Sequence, residues 1–429
     1  MALIYDYLSE DYGLINSSVK SFLPQNALVP LKIDRLVDDD VEILIKEGDV
    51  VTEGQTVAKG KKYTFHSSIP GVIKSVYKSK LPDGEEGLVA DVSLQGKFSY
   101  TGKKILEQNW TNYDSNTLVF FLNERGVVNT FNGCESLVQQ IKEFDSNAAR
   151  LVVLRLYDDD PSRLTESFLT EKFFDKIKIG TEIIAKALNA KGVVFAYDIN
   201  KNKQDFQLSS YKVFSVGIDA KGYPCGFKHE ITQMVKNETK ESPFAEIGCR
   251  DLFIDVQTAL SVYDAIVLGL PVTNRFIHIS GDCLNSAAIM NVKIGTLLSD
   301  LAHQCGGFKR KPAKILINGK LLGNSVDSIN VPITKCVKSI SFLPENQIPD
   351  QLQEECIRCG NCQKICPVGL FPESLYRVSL QLNPEDNYVS FTRQTAILCT
   401  ECGLCNSVCP SRIPLCQIIS KLKDKKSEE

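Results

Sequence analysis

The chain has 429 residues, 43% hydrophobic and 24% charged, with 49 basic against 52 acidic side chains and a formal net charge of −3. This length suits roughly two to four domains, and the even charge gives no hint of a nucleic-acid or polyanion-binding surface. No apolar run is long enough to span a membrane, and "MALIYDYLSEDYGLI" lacks a basic leader region, so a cytoplasmic location is expected, with any membrane tie made through a partner.

Residues 1–26 show no clear period and read as an N-terminal arm. From 27 to 100 the pattern is short strands and turns, "LVPLKI", "VEILI", "EGDVVTEGQTVAKG" and "YTFHSSIPGVIKSVY", with glycines at tight turns between β-branched residues. This stretch resembles the barrel-sandwich of lipoyl and biotinyl domains. Lys61 and Lys62 lie near the turn that carries the modified lysine there, but the surrounding signature is absent, so the fold is expected without its prosthetic group. "GQTVAKGKK" is no phosphate loop, since its glycine gap is too long and no Ser or Thr follows the lysine.

Residues 101–245 alternate between strand and helix patterns. "NTLVFFLN" and "ARLVVLRLYD" read as buried strands, "FFDKIKIGTEIIAKALNA" as an amphipathic helix and "KGVVFAYD" as the strand after it, a Rossmann-like βαβ series. Residues 246–345 read as β-rich and β-grasp-like, with "VYDAIVLGLPVTNRFIHISG", the helix "IGTLLSDLAHQCGG" and "AKILINGKLLGNSVDSINVPITK". Residues 346–420 carry paired cysteine runs, and 421–429 form a charged tail. The fold class expected is multidomain α/β.

The runs "CIRCGNCQKICP" and "CTECGLCNSVCP" share one spacing: Cys, two residues, Cys, two residues, Cys, three residues, Cys-Pro. This matches the bacterial two-cluster ferredoxin pattern, in which three cysteines hold one 4Fe–4S cluster and the fourth reaches the other. The first cluster is thus assigned to Cys356, Cys359, Cys362 and Cys409, and the second to Cys399, Cys402, Cys405 and Cys366. Zinc ribbons need neither a third cysteine at the same interval nor a Cys-Pro. Between the runs, "ESLYRVSLQL" and "YVSFTRQTAIL" read as helices interrupted by "NPEDN", which makes the module α-helical. The remaining cysteines, Cys134, Cys225, Cys249, Cys283, Cys305, Cys336 and Cys416, read as small buried hydrophobes, with no disulfide expected. His66, His229, His278 and His303 are scattered and read as structural or exposed.

The order of parts, with "EGDVVTEGQTVA", "SIPGVIKSV", "YDAIVLGLPVTNRFIHISGD", "VKIGTLLSDL", "NGKLLG", "VPITKC" and "CPVGLFPESLY", resembles the C subunit of the Rnf ion-translocating oxidoreductase. It resembles the A subunit of the sodium-translocating NADH:quinone reductase more distantly, and that subunit lacks the double cysteine signature. In this family the Rossmann-like domain carries a glycine-rich loop for flavin and NADH. The corresponding "NERGVVNTFNGCESLV" keeps Gly126 and Gly133 but places Asn129, Thr130, Phe131 and Glu135 among the missing glycines. "LRLYDDDPSR" replaces the family's acidic stretch, and Asp158, Asp159 and Asp160 read as a solvated strand end with a helix cap. "YPCG" matches the family's "YPQG" in form.

The resemblance implies a peripheral electron-carrier subunit on the cytoplasmic side of a membrane, with two 4Fe–4S clusters and no usual site for FMN or NADH. Its implied partners are membrane-embedded subunits and a donor such as a flavoprotein or reduced flavin. The alternatives are a catalytic FMN/NADH dehydrogenase subunit of the same complex and a soluble carrier for another reductase.

Overall fold

The computed structural model describes residues 19–31, 41–145, 147–201, 204–347, 353–380 and 387–424. Most of the expected arm, the "NPED" break and the end of the charged tail lie outside them. The chain divides into two compact units: residues up to Gly319 with Asn324–Pro344, and Lys320–Gly323 with the chain from Glu345 onward.

Two small sheets open the first unit. One runs, in spatial order, Asn26–Pro30, Glu86–Leu94, Gly71–Lys80 and Val50–Val51; the other runs Glu42–Ile43, Thr56–Lys59 and Thr64–His66. Their apolar residues meet in one core that includes Val29, Val57, Phe65, Ile69 and Val92. Lys61 and Lys62 are exposed in the connection between Thr56–Lys59 and Thr64–His66.

A four-stranded parallel sheet follows, in the order Val213–Ile218, Gly192–Asp198, Leu151–Arg155 and Leu252–Asp255. All five residues of Leu151–Arg155 are buried, as befits a strand covered on both faces. The 24-residue helix Thr165–Leu188 packs against the helix Val256–Ile266. The sheet therefore extends past residue 245, and "VYDAI" is helical where a β pattern was expected. "NTLVFFLN" is likewise not a strand but part of the helix Ser115–Glu124. Asp114 caps that helix by accepting a hydrogen bond from the Thr117 N–H, and Leu118 and Leu122, four residues apart, are its buried stripe.

A six-stranded mixed sheet completes the unit, in the order Lys20–Phe22, Ala288–Lys293, Asn274–Ser280, Ser339–Leu343, Lys314–Ile317 and Asn324–Val326. Lys20–Phe22, expected in an unstructured arm, pairs in parallel with Met290–Val292. The helix Leu298–Gln304 contributes Leu298, Leu301 and Ala302 to the core on this sheet.

Two cysteines expected to be free are joined, Cys134 to Cys336, across 202 residues of sequence. The fold brings their Cα atoms to 5.5 Å, within the usual span of a disulfide, a proximity the sequence spacing gives no hint of. Cys225, Cys283, Cys305 and Cys416 are buried as expected, whereas Cys249 is exposed.

A buried ion pair links the first small-sheet region to the six-stranded sheet: Lys293 Nζ lies 2.6 Å from Glu53 Oε1. Burial alone would raise the Glu53 carboxyl, but hydrogen bonds from Lys293, Thr101 and the Tyr100 N–H outweigh it and hold the group at about 2, below its ordinary 4.5. Lys293→Met should cost about 3–5 kcal/mol in denaturant unfolding, because it leaves a carboxylate buried and unpaired. A depressed folded pKa means the Glu53 contribution is complete above pH 4.5 and is lost as pH falls toward 2. Between those limits the wild type should lose stability faster than Glu53→Gln; parallel curves would mean that the pair carries no pH-dependent stability.

Candidate functional site

The second unit is built from short helices: Asn361–Ile365, Pro372–Ser379, Asn387–Thr395, Leu404–Ser407 and Leu415–Asp424. Pro372 begins its helix, where a missing N–H costs nothing, and Leu375 and Val378 are its buried positions. The two cysteine runs have the same backbone. Arg358 and Glu401, each just before the second cysteine, are left-handed at φ 55° and 58°. Gly360 and Gly403 follow at 75° and 73°, and each opens a short helix that carries the third cysteine. Beyond the Cys-Pro, Gly369 and Arg412 are left-handed as well. The two runs thus share one repeated backbone curl.

Cys366, Cys399, Cys402 and Cys405, the set expected for the second cluster, line one small cavity with Leu370, Leu404 and Ile419. Of the first set, Cys356, Cys362 and Cys409 gather on Ile413 and Leu415, with Cys405 among them, while Cys359 is exposed. Cys405 therefore belongs to both gatherings. Cys416 also lines the second cavity. The Leu370 N–H donates to Cys366 Sγ at 3.3 Å and the Glu401 N–H to Cys399 Sγ at 3.4 Å. Such bonds favour the thiolate, the ligand form of sulfur.

The donor set suits a cluster better than a single ion. A cubane has four iron corners, so its thiolates stand further apart than the ligands of one ion. Burial pushes the Cys399 thiol up to about 11, against the Glu401 N–H and the Lys423 charge, which act to lower it.

The segment of residues 123–138, expected to correspond to the resembled family's flavin loop, is tightly packed at Gly126, Asn129, Thr130 and Phe131. Gly126 has φ 67°, and a side chain there would run into Thr64 O and Lys335 Nζ. Lys335 Nζ donates to Gly126 O at 2.7 Å and to Thr64 O at 2.9 Å, and its neighbour Cys336 holds Cys134. Adjacent residues thus pin both ends of the loop. Between them, Phe131 lies under the Arg155 guanidinium at 4.2 Å. Thr130 Oγ1 donates to Asp255 and accepts from Arg275 Nη2, and Asn129 Nδ2 donates to Phe253 O. Gly133 has φ 102° with open space around it.

The acid run is buried, contrary to the solvated strand end expected. Asp158 does cap a helix, accepting from the Glu166 and Ser167 N–H groups. Asp159 pairs with Arg155 at 3.2 Å and with Arg163, and Asp160 accepts from Ser162. Buried arginines, invisible to a local reading, hold the run inside. His66 is buried with Nε2 2.9 Å from Glu124 O, and burial brings it down to about 3, so it is structural and neutral.

Residues 344–413 match a family model described as a 4Fe-4S dicluster domain. Over 360 residues the chain is 25% identical to the C subunit of the proton-translocating ferredoxin:NAD(+) oxidoreductase complex of Clostridium ljungdahlii, covering 82% of this chain and 78% of that protein. The chain resembles the C subunits of ion-translocating oxidoreductases. The subunit from Rhodobacter capsulatus is 25% identical over 370 residues, covering 82% of this chain and 70% of that protein. The subunit from Buchnera aphidicola is 25% identical over 402 residues, covering 90% and 82%. A NAD+-reducing NiFe hydrogenase in its air-oxidized state superimposes with a TM-score of 0.47 at 9% identity, over 72% of this chain and 61% of that one, too slight a likeness to carry an argument. The chain is thus a mixed α/β protein ending in an iron–sulfur module of ferredoxin type.

Gly403 and Gly360 hold equivalent left-handed positions, but a side chain at Gly403 would meet Leu321 O at 2.6 Å, whereas nothing lies within 4 Å of Gly360. Gly360→Ala should therefore cost about 1–2 kcal/mol of backbone strain, and Gly403→Ala clearly more. Thermal loss of the visible iron–sulfur absorption measures both; equal losses would remove the role given to Leu321.

Proposed function

We propose that the chain is a peripheral electron-transfer subunit of an Rnf-type membrane complex, with one 4Fe–4S cluster on Cys356, Cys359, Cys362 and Cys409 and a second on Cys399, Cys402, Cys405 and Cys366. The observation that carries this reading is the duplicated cysteine curl, whose second set of four thiols lines one cavity. The clusters supply one-electron transfer between fixed partners. The protein supplies the thiolates, the backbone N–H groups on Cys366 and Cys399, and the apolar packing that excludes water.

Six of the fifteen exposed large apolar side chains among the described residues belong to this unit: Ile357, Phe371, Leu380, Phe391, Ile397 and Leu398. That concentration suits a module that docks on other subunits. No described helix is long and apolar enough to cross a membrane, so attachment on the cytoplasmic side falls to those partners. In this reading the first unit combines a lipoyl-like barrel-sandwich, a Rossmann-like part and a β-grasp-like part, and serves as scaffold and docking surface. Phe131, Arg155 and the buried acids occupy the ground where a nucleotide phosphate would sit, so electrons enter from a flavoprotein or reduced flavin and not from NADH bound at this loop.

Anaerobic reconstitution tests the reading. Iron should reach about eight atoms per chain and fall by about half in Cys402→Ala. Dithionite should bleach the iron–sulfur absorption, while NADH with FMN should not. Prompt bleaching by NADH would make the loop a working nucleotide site and the subunit a dehydrogenase. Isolation without membrane subunits would favour a soluble carrier.

A further inference from the structure

The relay reading leaves the bond between Cys134 and Cys336 without a role. On the cytoplasmic side proposed above, thiols are held reduced, and a disulfide that forms there is more often a redox sensor than a staple. What surrounds this bond fits a sensor.

Both cysteines are held in place by contacts that do not need the bond. Ahead of Cys134, Thr130 donates to Asp255 and the Phe131 ring lies under Arg155; after it, Ser136 Oγ donates to Lys62 O at 3.0 Å. The short strands Val128–Asn129 and Glu135–Ser136 pair antiparallel and close the segment into a hairpin. On the other side Lys335 donates to Thr64 O and Gly126 O, Asn318 Nδ2 donates to Cys336 O at 3.0 Å, and Lys338 pairs with Asp255. Two thiols kept this near each other when the bond is open meet at high effective concentration, so the pair can close again.

The bond also has a way in. Cys134 and Cys336 are only 6% and 4% exposed, but Asn132, Gly133 and Glu135 beside Cys134 are exposed, and Gly133 has open space around it. Movement of that short turn uncovers the Cys134 sulfur first. Cys134, Cys336 and Val128 share one apolar core with Val57 and Phe65 of the small sheets, so opening the bond loosens the seam between those sheets and the hairpin.

We propose that the Cys134 to Cys336 bond is a redox-sensitive clasp. Closed, it fastens the hairpin tip to the segment before Ser339–Leu343; opened by a thiol reductant, it frees the tip while the anchors at Thr130 and Lys335 stay. Two reductant thiols supply the two electrons and two protons. The first attacks the Cys134 sulfur and releases the Cys336 thiolate. The second attacks the reductant sulfur of the mixed disulfide and releases Cys134. One bond between reductant sulfurs replaces the bond between the cysteines, and each cysteine ends as a thiol. For its setting the clasp rests on the cytoplasmic reading; the bond itself needs neither the clusters nor a membrane partner.

Thiol counting on the full chain, with its clusters reconstituted under argon, tests it. The protein is equilibrated in glutathione buffers from fully oxidised to a roughly hundredfold excess of the reduced form, quenched with acid, and alkylated with mass tags read on the Cys134 and Cys336 peptides. The pair should pass from closed to open across that range, whereas a structural disulfide stays closed throughout. Hydrogen exchange at residues 130–136 should quicken about tenfold or more on opening, while Leu151–Arg155 keeps its protection. The double variant Cys134→Ser, Cys336→Ser should exchange fast in every buffer; should it not fold, the two states of the wild type decide the matter. A pair that does not change state across the buffers, or exchange that is equal in both states, overturns the clasp. Iron is counted in the same samples: a chain far short of about eight irons fails the relay reading and leaves the test of the clasp intact.

Discussion

Lys338 lies buried between two carboxylates, its Nζ 3.0 Å from Glu166 and 2.5 Å from Asp255. Charges so deep in a protein are tolerated only where the geometry satisfies them. One lysine cannot serve both acids equally. Burial works to raise both, but Lys338 and Arg275 hold the Asp255 carboxyl well below its usual range, while Glu166 stays above its own. The three residues come from the long helix, the end of the parallel sheet and the approach to Ser339–Leu343 of the six-stranded sheet. Fixing this trio fixes how those elements meet. It fixes the segment around Thr130 too, because Thr130 donates to Asp255 and Arg275 reaches Thr130. The network that unites the larger unit thus runs through the segment around Thr130.

Much of this was legible in the sequence, for reasons that differ between the halves. Cysteine spacing is local, so the left-handed turns at Arg358, Gly360, Glu401 and Gly403 follow from residues a few positions apart. "KGVVFAYD" and "FFDKIKIGTEIIAKALNA" were legible because burial on both faces and helical period leave direct marks. "NTLVFFLN" was not, since a short apolar run suits strand and helix alike and only the Asp114 cap decides it. The acid run hid its burial because its partners Arg155 and Arg163 carry no mark of being inside. The joining of Cys134 to Cys336 is a product of tertiary packing alone.

The units also differ in how they tolerate change. The larger one rests on long-range buried charge: Glu53 with Lys293, Asp159 with two arginines, Lys335 on two carbonyls. Its partners are far apart in sequence, and losing one strands another. The smaller unit keeps few buried apolar side chains beside its cysteines, among them Leu370, Leu375, Ile413 and Leu415. A core so small would gain much of its stability from metal–thiolate bonds, which would couple folding to cofactor loading.

The smaller unit is not continuous in the chain. Lys320–Gly323 belongs to it, although the strands on either side of that loop, Lys314–Ile317 and Asn324–Val326, are paired in the six-stranded sheet. Gly403 curls tightly under Leu321 O of that same loop. A fragment cut at residue 345 would carry all eight cysteines of the two runs and still lack a piece of its own wall. The module is therefore not a detachable cassette: transplanting it into another protein means grafting two segments, and evolution could exchange it only together with the hairpin that supplies the first.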